Sequence, residues 1–177
     1  MSQPSIAIRP ATADDAAAIS MFAAAAFADA FGAQNEPENL ALHLEQTYSP
    51  QRQSAEMTAP GACYLLAMDG DRIAGFGYIE QGLSLPAVTG PAPCEVRRFY
   101  VGREWHGRGV AQSLMAALVA AARRGGARTL WLTTWELAAQ ARAFYAKTGF
   151  TDVGSTVFVV GNDRQTDRIL VLDLDRG

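Results

Sequence analysis

Cysteine and histidine are scarce in this sequence. Among its 177 residues there are two cysteines, Cys63 and Cys94, and two histidines. Two cysteines cannot build a disulfide framework, and these two lack the spacing of a metal-ligand cluster. The sequence therefore predicts free thiols in a reducing cytoplasm and no bound metal.

The sequence also has no excess of positive charge. The formal net charge is -3 at pH 7, whereas proteins that bind nucleic acid usually carry a basic patch or stripe. Arginines do gather at Arg97, Arg98, Arg103 and Arg108. We expect them to be solvated surface residues, with Arg108 alone assigned to ligand contact. No nucleic-acid partner is predicted.

The apolar run at residues 16–28 is too short to cross a bilayer, which needs about 20 apolar residues. Two aspartates precede it where a secretory signal would have a basic segment, and Asp29 ends it. The run predicts a helix of a folded domain. We expect no membrane partner and a cytoplasmic location.

What remains is the pattern of one domain over residues 1–177, long enough for a sizeable core. Apolar spacing and chain-breaking residues predict a mixed, mostly antiparallel α/β sheet with helices on both faces. The predicted elements, in chain order, are strand 5–9, helix 13–30, helix 37–48, strands 62–68, 72–81 and 94–101, helix 109–124, strand 128–134, helix 138–147 and a hairpin of 152–160 with 168–174.

The segment 94–115 is the most informative because it reads as a strand, a glycine turn and a helix start. Gly107 and Gly109 allow a sharp turn and close approach of a ligand to the backbone. From Val110 the apolar residues recur at helical spacing. The first amides of such a helix have no partner inside it, and the helix dipole adds positive charge there. The segment therefore predicts a phosphate site.

Two familiar phosphate loops do not fit this turn, because a P-loop lysine is absent and Gln112 stands where a dinucleotide fingerprint has its third glycine. The spacing Arg/Gln-x-x-Gly-x-Gly/Ala does fit, with His106 first, then Gly109 and Ala111. This resembles the coenzyme A loop of the GNAT superfamily of N-acetyltransferases. His106 departs from the usual Arg or Gln, which weakens a side-chain contact more than the amide cradle.

A second stretch, 135–150, resembles the superfamily segment in which a strand feeds a helix carrying Phe-Tyr-x-x-x-Gly-Phe. Residues 27–32 and 154–169 resemble the PaiA-like polyamine N-acetyltransferases within it. That branch commonly has an asparagine where this chain has Ala138. The resemblance implies acetyl-CoA as cosubstrate, and the cofactor-binding residues that it implies are Phe99, Tyr100, Val101, His106, Gly107, Arg108, Gly109, Val110, Ala111, Gln112, Ala138 and Tyr145.

The resemblance also implies catalytic roles. The strand at residues 99–101 would bulge, splay from the next strand and offer backbone amides to the thioester carbonyl. Tyr145 would donate a proton to the leaving thiolate, and Glu95 would accept one from the amine directly or through water. A buried packing role for Tyr145, and an ion pair with Arg97 or Arg98 for Glu95, are the alternatives.

The resemblance implies that the acceptor is a small primary amine such as a polyamine. Glu36, Glu38 and Glu45 could attract its charge, although exposed carboxylates are common on helices. Three alternatives stay open: a non-catalytic acyl-CoA-binding or regulatory module, another kind of nucleotide-binding domain, and an acetyltransferase of a protein or peptide amino group. A homodimer is also left open.

Overall fold

A seven-stranded sheet forms the centre of the computed structural model, which describes residues 6–176. Its strand order is β1-β2-β3-β4-β5-β7-β6, and every neighbouring pair is antiparallel except β4 with β5. The predicted mixed, mostly antiparallel α/β fold is confirmed. The strands are β1 (Ile6–Pro10), β2 (Ala62–Asp69), β3 (Arg72–Gln81), β4 (Pro93–Val101), β5 (Thr129–Trp135), β6 (Thr151–Val160) and β7 (Asp163–Asp173).

Helices cover both faces of the sheet: α1 (Ala16–Phe31), α2 (Pro37–Thr47), α3 (Pro50–Met57), α4 (Val110–Arg124) and α5 (Ala139–Lys147). Alternate strand residues face opposite sides. On one side Leu114 and Leu118 of α4 pack with Leu65 of β2. On the other, Ile19 of α1 packs with Leu66 of β2. Each such buried side chain stabilises the fold by about 1.5–3 kcal/mol.

The apolar run of the sequence forms α1, which short 3-10 turns extend to Ala13–Gln34. By length and composition this helix could cross a membrane. In the structure its residues Ile19, Ala23 and Phe27 are buried in the core on one face of the sheet. The helix therefore forms one of the two layers that cover the sheet.

Two elements differ from the sequence prediction. Helix α3 was not predicted because its only buried residue is the polar Gln53, so it has no apolar periodicity, although Pro50 and the Ser49 cap mark its start. Strand β7 begins at Asp163, five residues before the predicted 168, since Val160 and Asp163 pair across the turn Gly161-Asn162. Polar residues follow this turn, and antiparallel pairing with β6 extends the strand through them.

Candidate active site

Strands β4 and β5 separate soon after they meet. Their parallel pairing consists of Pro93 with Thr129, Cys94 with Leu130, and Glu95 with Trp131. Beyond that point β5 continues to pair with β7, and β4 continues to pair with β3. A gap, which we call the strand gap, therefore opens between residues 96–101 of β4 and 132–135 of β5. Among the described residues, β4 has no strand partner on this side beyond Glu95, so its backbone groups on this side can bind a ligand.

A β-bulge lies at the start of the gap. Tyr78 pairs with Arg98 and Ile79 pairs with Val96, so Arg97 has no partner in β3. A bulge bends its strand and increases the local twist. The family resemblance placed the bulge at residues 99–101, whereas in the structure it lies at Arg97, two residues before Phe99, and residues 99–101 pair regularly with β3. The bulge at Arg97 accompanies the divergence of β4 from β5.

The glycine turn before α4 has the backbone conformation that was predicted. Gly107 and Gly109 have φ values of 73° and 79°, in the left-handed region that favours glycine. The first helix amide with a backbone acceptor is that of Ser113, which donates to the Gly109 carbonyl at 3.1 Å. Within residues 6–176 no carbonyl accepts a hydrogen bond from the amides of Gly107, Gly109, Val110, Ala111 or Gln112. This cluster of free amides, which we call the amide cradle, can bind an anion.

The side chains of His106 and Arg108 in this turn differ in their contacts. The Nε2 atom of His106 donates to the carbonyl oxygen of Val101 at 2.9 Å, so the imidazole ties the turn to the end of β4. Arg108 is exposed, and among the described residues its side chain forms no ion pair. Arg108 is therefore the better placed of the two for an added anion.

Tyr145 lies in α5 at the edge of the core. Its ring packs against Phe99 of β4, with 6.3 Å between ring centroids, and against Phe150 at 5.7 Å. Burial raises the pKa of Tyr145, and the nearby Tyr100 adds to the shift. The hydroxyl therefore keeps its proton at neutral pH. Ala138, which stands where the family commonly has asparagine, is the N-cap of α5, and its methyl group cannot cap the helix by a hydrogen bond.

Glu95 lies at the last paired position of β4, where the strand gap begins. Its carboxylate is 3.7 Å from Nε of Arg97, and Glu80 lies opposite it in β3. Burial raises the pKa of Glu95, Glu80 adds to the rise, and Arg97 opposes it. A carboxylate with a raised pKa can accept a proton more readily near neutral pH. Both readings of Glu95, as a base and as an ion-pair partner, remain compatible with this geometry.

The expectation that all the nearby arginines are solvated is wrong for Arg98. This residue is 8% exposed and pairs with Glu56 of α3, while Gln53 and the hydroxyl of Tyr64 lie 3.1 Å from its guanidinium. Its partners are far away in the chain, with Glu56 42 residues before it. Sequence spacing could not reveal the partners that compensate its burial.

Sequence reasoning also missed Asp167 of β7, which is buried at the far side of the strand gap. Trp135 lies opposite it in β5, and Tyr100 of β4 interacts with it electrostatically. No local pattern marks it, because it sits between polar neighbours on a segment that read as a loop. Its position adds a carboxylate to the site.

Comparison with known proteins places this geometry in a family. Residues 24–150 match the family described as Acetyltransferase (GNAT) family. The chain is 34% identical over 145 residues to an uncharacterized N-acetyltransferase in the pepI 3′ region of Lactobacillus delbrueckii subsp. lactis, covering 81% of this chain and 83% of that protein. It is 30% identical over 138 residues to an uncharacterized N-acetyltransferase of Mycobacterium bovis, covering 78% and 84%.

Solved structures share the fold. PaiA N-acetyltransferase from Thermoplasma acidophilum, in complex with coenzyme A, has a TM-score of 0.77 and 16% identity, covering 96% of this chain and 99% of that one. The structure of yncA from Salmonella typhimurium, with its cofactor acetyl-CoA, has a TM-score of 0.72 and 20% identity, covering 97% and 95%.

Proposed function

The chain belongs to the GNAT family of acetyltransferases and is an acyltransferase, and from this we propose that it moves the acetyl group of acetyl-CoA to the nitrogen of a small primary amine. The observation that carries the proposal is the coincidence of the amide cradle with the strand gap. An anion cradle beside an opened sheet suits a ligand with phosphates at one end and a reactive group at the other. We take residues 1–177 as one catalytic domain.

Coenzyme A is the cosubstrate in this proposal. Its pyrophosphate would accept hydrogen bonds from the amide cradle, with Arg108 adding positive charge. The thioester arm would enter the strand gap between β4 and the start of α5, where Ala138 and Ala141 are small. The coenzyme A bound in the PaiA structure and the acetyl-CoA bound in the yncA structure support this assignment.

The acetyl transfer itself needs a polarised carbonyl and a protonated leaving group. In the proposal, amides of Phe99 to Val101 stabilise the oxyanion that forms when the amine attacks the thioester carbonyl. The new C–N bond forms, the C–S bond breaks, and Tyr145 donates a proton to the departing sulfur. The raised pKa of Tyr145 ensures that this proton is present at neutral pH. A proton that the nitrogen loses during transfer restores the hydroxyl.

The ammonium group of the acceptor must lose a proton before its nitrogen attacks the thioester carbonyl, because an alkylammonium has no free lone pair. We assign this role to Glu95, acting directly or through water. Its half-buried position and raised pKa support the assignment, while its contact with Arg97 opposes it. The pH dependence of the Glu95→Gln variant separates the two roles.

A polyamine-like acceptor is the finer form of the proposal. Glu36, Glu38 and Glu45 are all exposed on or beside α2, where they can attract a cationic amine through solvent. Such attraction is weakened by salt over about 8–10 Å. Rates with spermidine, a monoamine and a short peptide, measured with and without the changes Glu36→Gln and Glu38→Gln, test this form. A preference for the peptide amino terminus would contradict it.

The cofactor assignment is tested by thermal unfolding. Coenzyme A at 100 times its dissociation constant should add about 2.7 kcal/mol to the free energy of unfolding. Release of free thiol from acetyl-CoA in the presence of primary amines then tests transfer. Absence of a thermal shift with millimolar coenzyme A would overturn the cofactor assignment, and a shift without thiol release would favour the non-catalytic module.

A further inference from the structure

Asp167 is a buried carboxylate whose charge is not balanced. It is 5% exposed, and its Oδ1 atom has no hydrogen-bond partner within the part of the chain that the structure describes. Among the described residues no arginine, lysine or histidine nitrogen lies within ion-pair distance of it. Burying a carboxylate without a cation or hydrogen bonds costs several kcal/mol. A group kept at such a cost is a candidate for function.

The titratable and polar groups around Asp167 come from strands β4, β5 and β6 and from the residue that follows β5. Tyr100 faces it from β4, Thr133 from β5, and Glu136 follows the end of β5. Thr156 is its partner in β6 and carries no charge. Burial raises the pKa of Asp167 to about 6, Glu136 adds to the rise, and the Thr133 hydroxyl opposes it. Asp167 is therefore mostly ionised above pH 6, and the charged neighbour that adds to this pKa shift, Glu136, is itself an anion.

Asp167 lies on the opposite face of the sheet from Tyr145. In β7, Leu170 packs in the same core cluster as Tyr145, whereas Ile169 packs with Trp131 on the other face. Residues two apart in a strand share a face, so Asp167 lies on the side of Ile169. In the proposed reaction, Tyr145 on one face could therefore act on the thioester while Asp167 on the other face contacts the amine.

The surroundings of Asp167 are rich in aromatic rings. Trp135, opposite Asp167, packs against Phe31 of α1 with 6.1 Å between ring centroids. The hydroxyl groups of Tyr48 and Tyr100 are 3.0 Å apart. Aromatic faces attract cations and at the same time exclude water. A carboxylate within such walls favours an organic ammonium group over a strongly hydrated ion.

Contacts between the α2 region and the β6–β7 hairpin cover this side of the sheet. Gln165 Nε2 donates to Asn35 Oδ1 at 2.7 Å, and the backbone amide of Asn162 donates to Asn39 Oδ1 at 2.9 Å. These polar bridges connect segments that are far apart in sequence. Gln165 shares the face of Asp167 in β7, so the first of these bridges brings the segment before α2 to the side of the sheet on which Asp167 lies.

We infer that Asp167 binds the ammonium group of the acceptor and orients its nitrogen toward the strand gap. The inference rests on the proposed acetyl transfer and names the ligand class as a small primary alkylammonium. Asp167 is preferred to Glu95, whose carboxylate already has Arg97 nearby, and to the exposed Glu36 and Glu38, whose attraction acts through solvent. This is a binding role, separate from proton removal.

Paired acceptors test the role of charge. We would compare n-butylamine, which is cationic at neutral pH, with O-propylhydroxylamine, which has a similar length and is uncharged. In Asp167→Asn the KM for butylamine should rise on the order of tenfold or more, because the buried ammonium loses its counter-charge. The KM for the uncharged acceptor should change less than about twofold, and Asp167→Glu should recover part of the butylamine affinity. Asp173→Asn, at the far end of β7, is the matched control.

The outcomes separate the inference from the proposed function. Equal loss with both acceptors would assign Asp167 a structural role and overturn the inference, as would an unchanged KM for butylamine. Failure of the wild-type protein to release thiol with any amine would instead overturn the proposed function. Thermal shift with butylammonium alone gives a readout without turnover: stabilisation of the wild-type protein that Asp167→Asn loses supports the inference, and equal stabilisation of both contradicts it.

Discussion

The ring of Tyr145 in α5 packs against the ring of Phe99 in β4, with 6.3 Å between their centroids. Phe99 lies in the part of β4 that borders the strand gap, so this contact places the Tyr145 ring beside the strand that borders the gap. In the proposed reaction, this packing of two aromatic side chains would hold the proton donor and the amide donors of β4 next to each other.

Tyr145→Phe should keep coenzyme A binding and lose turnover. The ring and its packing remain, so the thermal shift with coenzyme A should stay as in the wild-type protein. Without the hydroxyl, proton transfer to the thiolate becomes slower, and kcat should fall on the order of ten- to a thousandfold. Free-thiol release measures kcat. Unchanged turnover would leave Tyr145 with a packing role.

Gly109→Val should abolish the thermal shift with coenzyme A. At a φ of 79° a side chain is strained by about 1–2 kcal/mol, and relief of this strain would turn the amides of the cradle away from the ligand. Gly126→Val is the matched control, because Gly126 has a φ of 87° and equally open surroundings but lies after α4. Both variants should have a lower free energy of unfolding than the wild-type protein, but Gly126→Val should keep the thermal shift with coenzyme A. Loss of the shift in both would point to general unfolding.

Glu95→Gln should slow acetyl transfer more at low pH than at high pH. At high pH the amine is already free and needs no base, whereas at lower pH it is protonated. The raised pKa of Glu95 means that the wild-type rate should itself decline as pH falls through that pKa. Rates across a pH series, with coenzyme A binding measured in parallel, provide the test. A pH profile identical to the wild-type one would assign the base to water or another residue.

Asp167→Asn should raise the free energy of unfolding, relative to the wild-type protein, more at pH 8 than at pH 4. Its pKa rises from 3.8 to about 6 on folding, so the unfolded chain releases this proton first as pH increases. The free energy of unfolding of the wild-type protein therefore falls by up to about 3 kcal/mol as pH rises from 4 to 8. The asparagine side chain removes that loss because it does not titrate. Denaturant unfolding at the two pH values measures the difference.

Asp15→Asn is a control of opposite sign for this experiment. Arg9 pairs with Asp15 at 2.8 Å and holds the pKa of that carboxyl well below its usual range. The carboxylate therefore stabilises the fold above its unfolded pKa, and this stability is lost as pH falls. The variant should be more destabilised at pH 8 than at low pH. The same sign of change in both variants would contradict the assigned surroundings of Asp167.

The sequence by itself determined the features that depend on neighbours along the chain. The glycine turn at Gly107 and Gly109 and the helix that follows are local, because backbone freedom and helical spacing act over a few residues. Short apolar runs rich in Val, Phe and Tyr, bounded by turn residues, predicted the strands in the same way. The order of these elements was therefore enough to indicate both the fold and the anion site.

Only the tertiary structure decided which charges are buried and what compensates them. Arg98 has Glu56 as its oppositely charged partner, whereas Asp167 has no cationic partner among residues 6–176, although both residues lie in strands. The difference arises because the groups that surround each of them come from distant segments. The free energy of a buried charge depends on these spatial neighbours, which no local pattern of the chain encodes.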